Sequence, residues 1–237
     1  MFRALLIFAS LALTPASGNA AEIPTSLRSE AVIAAEGPLL SEALAPLGAE
    51  LGDPVYLRLF KEERALELWI ATGGGYRLFK TYPICAMSGR LGPKLTVGDN
   101  QAPEGFYEVK PEQLNPTSFF HLAMNIGYPN AYDRAQKRTG SLLMIHGNCV
   151  SAGCYAMTDS GIEEIYTLVR AAYASGVKAV PVHIFPFRLT TYNLNRHAQD
   201  RWLAFWQELR PAYDAFQASH LPPEITVQGG HYTLVAN

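Results

Sequence analysis

Val55-Tyr56-Leu57-Arg58-Leu59 and, after Lys61-Glu62-Glu63-Arg64, Leu66-Glu67-Leu68-Trp69-Ile70 form the stretch on which the fold turns. Val55, Leu57 and Leu59 alternate with Tyr56 and Arg58, as Leu66, Leu68 and Ile70 do with Glu67 and Trp69. A period of two sends neighbouring side chains to opposite faces, so both runs are predicted strands, and the short charged connection pairs them antiparallel. Gly73-Gly74-Gly75 closes the next turn before a third strand, Tyr76 to Ile84. A triple glycine that leads into a strand, with no Lys-Ser or Lys-Thr behind it, is a turn and not a phosphate cradle.

Upstream, Arg3, the apolar run Ala4 to Leu13 and the small residues Ala16 to Ala21 have the layout of a secretory signal peptide, residues 1–21. The apolar core is too short to span a bilayer, and no cysteine follows it to accept a lipid. Ser26 to about Leu51, interrupted by Pro38 and Pro46, is expected as short helical pieces in a lead-in segment.

Downstream, residues 88 to 105 are rich in Gly, Pro, Asp and Asn and are predicted to be a long surface loop before the strand Phe106 to Val109. Phe119 to Ile126 and Ser141 to His146 are expected as strands, with the polar segment Gly127 to Thr139 between them. Ser160 and Glu163 have capping-box spacing, and Ile162, Ile165, Leu168, Val169 and Ala172 recur at helical intervals until Gly176. Val177 to Phe185 is a buried strand. A second helix from Asn195 carries Trp202, Phe205, Trp206 and Leu209 on one face and is expected to bend or end near Pro211. Tyr232 to Val235 adds a last strand.

The net charge of -2 offers no basic surface to neutralise phosphates, which argues against a nucleic-acid partner. No segment after the leader is apolar for long enough to cross a membrane, so stable insertion is not expected. Three cysteines, Cys85, Cys149 and Cys154, cannot all pair within one chain. Pairing of Cys85 with Cys149 is the version that leaves Cys154 free, and Cys85 serves equally well as a small buried hydrophobe.

The chemistry gathers in Ile145-His146-Gly147-Asn148-Cys149-Val150-Ser151-Ala152-Gly153-Cys154-Tyr155. A thiol of ordinary pKa, about 8.5, is mostly protonated at neutral pH, so a nucleophilic cysteine needs an imidazole or a positive potential nearby. His146, at the end of its strand, can turn back to meet Cys154 just ahead of the helix. Gly147 and Gly153 permit a tight bend, the Cys154 amide can donate to an oxyanion, and Ser151 can brace the turn. Two rivals stand beside this reading. His146, Cys149 and Cys154 are possible zinc ligands, but a fourth would have to come from a remote histidine, so neither a metal nor a cofactor is expected. A local Cys149 to Cys154 disulfide would silence the nucleophile and leave a non-catalytic binding module.

His146-Gly147 and Ser151-Ala152-Gly153-Cys154-Tyr155 resemble the signature of L,D-transpeptidases with a YkuD-type catalytic domain. Ala152 replaces that family's usual second histidine, Ala156 replaces its Arg or Asn, and the gap after His146 is shorter. These departures resemble the YafK-like branch of murein L,D-transpeptidases, as do Pro83 to Gly89, Leu91 to Lys94, Gly98-Asp99, Pro103 to Tyr107 and Asn125 to Arg134. The resemblance spans roughly residues 55 to 185. It implies an α+β fold: a β-rich YkuD-type domain of mixed and antiparallel sheets with flanking helices, over 53–190. Residues 22–52 are then the lead-in helical segment, and 191–237 a C-terminal helix and tail packed on the domain.

The resemblance further implies that Cys154 attacks a carbonyl, that His146 accepts and donates the proton, and that the Gly147 carbonyl orients the ring. The implied substrates are periplasmic peptidoglycan stem peptides containing meso-diaminopimelate. Some members of the branch are similar to cross-linking or protein-attaching transpeptidases, others to amidases that release an envelope lipoprotein from diaminopimelate. Tyr132, Arg134 and Tyr155 are the candidate substrate-binding residues, the arginine through a two-pronged hydrogen bond to a carboxylate.

Overall fold

The computed structural model describes residues 23–235, so the leader expected at 1–21 lies outside the described residues. Strands β1 (Val55–Phe60), β2 (Ala65–Thr72) and β3 (Gly75–Pro83) form the antiparallel meander that the alternation predicts. Strand β4 (Ala86–Met87) follows, then the long loop, then β5 (Gly105–Val109). Short strands β6 (Leu114–Asn115), β7 (Ala123–Asn125), β8 (Met144–His146) and β9 (Tyr155–Ala156) come next, and β10 (Val180–Phe185) returns to the first sheet.

Two mixed five-stranded sheets result, ordered β3-β2-β1-β10-β5 and β4-β9-β8-β7-β6. In each, one parallel pair, β1 with β10 and β8 with β9, interrupts antiparallel neighbours. The expected α+β class with mixed and antiparallel sheets is what the structure shows. Val55, Leu57, Leu59, Leu66, Leu68, Val182 and Ile184 face one core, shared with Ile145 and Tyr155 of the second sheet. Phe60 and Phe185 face the other, under Phe205, Trp206 and Leu209.

Five helices flank the sheets: α1 (Leu27–Leu44), α2 (Ala131–Ala135), α3 (Asp159–Ala174), α4 (Thr191–Arg196) and α5 (Leu203–Ser219). The lead-in helix is continuous through Pro38, against expectation, while a separate short 3-10 turn, Ala45–Leu47, forms at Pro46. Ser26 caps α1 in a capping box with Ser29, and Leu40 and Leu44 bury its inner face. For α3 the cap is Thr158, whose hydroxyl accepts from the Gly161 amide, and not Ser160. Glu163 is thereby free to bind His121 at 2.7 Å.

The strand expected over Phe119 to Ile126 shrinks to β7, because His121 has φ 67 and breaks the extended run. The strand expected from Ser141 likewise begins only at Met144, after Leu142 at φ 56. Gly127 to Thr139 holds α2, capped by Asn130. The C-terminal helix is two helices, and α5 runs through the exposed Pro211 without ending. The tail forms a hairpin, β11 (Ile225–Gln228) with β12 (His231–Leu234), where one strand was expected.

The loop ahead of β5 is tied to the first sheet by a buried ion pair. Lys61 Nζ lies 3.0 Å from Glu104 and donates to the carbonyls of Gly92 and Ala102, and Glu104 accepts from the Gly92 amide and the Trp206 indole. Burying two charges costs several kcal/mol each unless partners surround them, and here both charges are surrounded by hydrogen-bond partners. The pair fixes the loop wall that borders the cysteine.

Candidate active site

Parallel pairing of β8 and β9 places Ile145 opposite Tyr155 and His146 opposite Ala156. Ile145 and Tyr155 point into the core, so His146 and Ala156 face the other way. Cys154 lies in the bend that leads into β9, packed against the same core as Ile145 and Tyr155, with its thiol near the backbone of Leu142 and Met144 at the start of β8.

The ring of His146 is fixed. Its Nδ1 lies 2.6 Å from the Gly147 carbonyl, which can only accept, so Nδ1 carries the proton and Nε2 keeps the lone pair. Phe120 lies against the imidazole, centroids 4.7 Å apart. Burial lowers the His146 pKa, with the Gly147 carbonyl acting in the opposite direction. Burial raises the Cys154 thiol, while a hydrogen bond from the Met144 backbone and the charge of Lys94 work against it. Both shifts favour the uncharged forms, a protonated thiol and a neutral imidazole. The thiol donates a long bond, 3.9 Å, to the Leu142 carbonyl and none to the ring.

The intervening turn is held at several points. A Cβ on Gly147 would stand 2.7 Å from Asp159 Oδ1 and 2.9 Å from the Phe120 carbonyl, which explains the glycine. Asp159 accepts from the Asn148 amide at 2.6 Å. Ser151 Oγ donates to the Cys154 carbonyl at 2.7 Å, and Gly153, at φ 119, turns the chain into the cysteine. Cys149 is bonded to Cys85, which leaves Cys154 as the free cysteine. That pairing removes two rivals at once: the local Cys149 to Cys154 bridge, and Cys149 as a zinc-binding thiolate. Among the described residues no cluster of His, Cys, Asp and Glu is arranged to hold a metal.

The three candidate substrate-binding residues do not converge on the cysteine. Tyr155 is fully buried with its hydroxyl on the Pro103 carbonyl at 2.6 Å, so it supports the turn from beneath. Tyr132 is buried in the second core, stacked on Tyr232 at 4.1 Å and bonded to Glu208. Arg134 binds the Pro129 carbonyl and lines a cavity that neither Cys154 nor His146 borders. Sequence reasoning missed Phe120, Lys94, Asp159 and Leu142. Lys94 was visible within the Leu91 to Lys94 segment, but no local spacing says that its buried ammonium, paired with Asp99, bears on the thiol.

A family model described as the L,D-transpeptidase catalytic domain, YkuD, matches residues 55–184. The chain belongs to this YkuD family. It is 49% identical over 184 residues to the Escherichia coli (strain K12) protein named "Putative L,D-transpeptidase YafK", covering 78% of this chain and 75% of that protein, and equally similar to its counterpart in Escherichia coli O157:H7. Among solved structures it is similar to the helical cell shape determining protein Pgp2 of Campylobacter jejuni, with 18% identity, a TM-score of 0.45 and 79% of each chain covered. For the Pgp2 K307A mutant the values are 19% and 0.47, with 73% of this chain covered but only 62% of that one, less than two thirds of its length. The chain is thus an enzyme of the L,D-transpeptidase type, with no helix among the described residues long and apolar enough to cross a membrane.

Proposed function

We propose that this YkuD enzyme is a periplasmic cysteine acyltransferase that takes its acyl group from peptidoglycan stem peptides containing meso-diaminopimelate. What supports the reading is one free thiol, Cys154, in the turn that follows a strand ending in an imidazole whose Nε2 is its unprotonated nitrogen. Nε2 of His146 takes the thiol proton as the Cys154 sulfur attacks the carbonyl carbon. The oxyanion receives a hydrogen bond from the Cys154 amide, the carbon–nitrogen bond breaks, and the departing amine takes the proton from the imidazolium. The thioester is then opened by an acceptor amine, which restores an amide, or by water, which leaves a carboxylate; either way sulfur regains its proton through His146.

The second acceptor corresponds to an amidase that frees an envelope lipoprotein from diaminopimelate. Both reactions share the acyl-enzyme and differ in what reaches it. Incubating purified sacculi with the enzyme and resolving the muropeptides separates them. New cross-links or newly attached protein are expected for transfer, whereas released lipoprotein without any new linkage would overturn transfer in favour of hydrolysis. Cys154→Ser is expected to abolish either product, and His146→Ala to lower the rate by about 10²- to 10⁴-fold. Full activity in Cys154→Ser would remove the proposal altogether.

A further inference from the structure

At the β5 end of the first sheet lies a cavity of about 870 Å³ between that edge strand, α2 and the β11–β12 hairpin. Cys154 and His146 are not among its lining residues. Its volume falls in the range of small-ligand sites, about 300–1,000 Å³.

One wall holds His183, only 3% exposed. Its Nδ1 lies 2.6 Å from the Tyr56 hydroxyl. The Tyr56 oxygen sits beside the Arg58 guanidinium, which can only donate, so the hydroxyl proton points at Nδ1. Burial, with Arg58 adding to it, holds His183 neutral, its pKa lowered to about 3. The tautomer is then fixed with the proton on Nε2, and this nitrogen makes no hydrogen bond among the described residues. A donor on a cavity wall without a protein partner is free to meet an acceptor from outside.

The adjoining wall is the outer edge of β5. The Phe106 amide and carbonyl point away from β10, being engaged by Tyr232 and Asn130. By alternation the N–H and C=O of Glu108, opposite Pro181, point the same way, into the cavity that Glu108 lines. An open pair of this kind on an edge strand suits an extended chain lying alongside. Charges of both signs ring the space, Lys110 and Arg134 with Glu112 and Glu224, over an apolar floor that includes Ile225 and Val227.

We propose that this cavity is a second binding site, distinct from the cysteine site, for a short extended peptide bearing both amino and carboxylate groups. The Glu108 backbone pairs with the peptide, Nε2 of His183 donates to one of its carbonyls, and the flanking charges fix its direction. Occupancy of the site is independent of acyl transfer at Cys154.

The test is a titration of the full chain carrying Cys154→Ser, with isotope-labelled backbone and histidine rings. The probe is the tripeptide L-Ala-γ-D-Glu-meso-diaminopimelate, and chitotriose serves as the glycan comparison. Saturable shifts at His183 and Glu108 with the tripeptide are expected, and none with the glycan. Thr226→Trp and Ala131→Trp fill the cavity from opposite walls, so failure of one to fold leaves the other. Each is expected to weaken tripeptide binding about tenfold or more. The proposal is overturned if the tripeptide produces no saturation up to about 10 mM, if shifts appear only around residue 154, if both filled variants bind as well as the parent, or if the glycan alone occupies the cavity.

Discussion

Gly147 has neighbours on every side that a methyl group would enter, and two of them belong to the machinery around His146. The Asp159 carboxylate holds the Asn148 amide, and the Phe120 carbonyl belongs to the residue whose ring covers the imidazole. Gly147→Ala must push one or the other. Overpacking of this kind costs about 1–3 kcal/mol, and displacement of the ring adds a loss of turnover of roughly tenfold or more. Chemical denaturation together with a muropeptide assay measures both, and an alanine variant equal to the parent in each would show that the turn is looser than described. His146, Gly147, Ser151, Gly153 and Cys154 were legible in the sequence because they act within one short segment. Phe120 and Lys94 were not, since their contacts cross from other segments and leave no spacing to read. Tyr132, Arg134 and Tyr155 show the converse: a polar residue near a motif in the chain carries no information about which cavity its side chain enters.

Among the elements, β8 and β9 are only three and two residues long, yet β8 ends on His146 and β9 begins one residue after Cys154. The turn between them is pinned to the start of β4 by the Cys85 to Cys149 bond, and the Cys85 amide donates to the Ala156 carbonyl across the same corner. The bond closes a chain segment with a sequence separation of 64, for which loop-closure entropy gives about 4 kcal/mol of stabilisation. Cys149→Ser should therefore lower the melting temperature while retaining most of the reactivity at Cys154, as thermal scans with thiol titration would show. Complete loss of activity in that variant, with the fold intact, would transfer the nucleophile's role to Cys149. The long strands β1, β2 and β10 were readable from period and β-branched content. The short ones were overestimated, because a positive φ at His121 or Leu142 ends a strand without any proline or glycine to announce it.

For the molecule as a whole, two faces of one sheet are treated differently. One packs against the catalytic sheet, and the other, under α5, buries His183 with Tyr56, Arg58, Phe106 and Phe185 around it. His183 titrates at about 3 in the fold against about 6.5 when unfolded. A base with a lowered folded pKa costs nothing above pH 6.5, and its penalty grows as pH falls toward 3, because the unfolded chain takes the proton first. His146, also lowered by burial, acts with the same sign. Stability is thus expected to fall between pH 6.5 and 4.5, above the main carboxylate range, by up to about 1.4 kcal/mol per pH unit per histidine. His183→Phe should flatten that slope, whatever its absolute stability, in urea titrations at several pH values. An unchanged slope would mean that His183 is protonated in the folded protein.

If Cys154, and neither of the other two cysteines, is the acyl-accepting sulfur, a covalent inhibitor must mark that residue alone. Intact-mass analysis after carbapenem exposure under non-reducing conditions, followed by mapping of the adduct, tests it most directly. One adduct is expected, on Cys154, with Cys85 and Cys149 still joined. An adduct on Cys85 or Cys149, or a Cys149 to Cys154 crosslink in the active preparation, would contradict it.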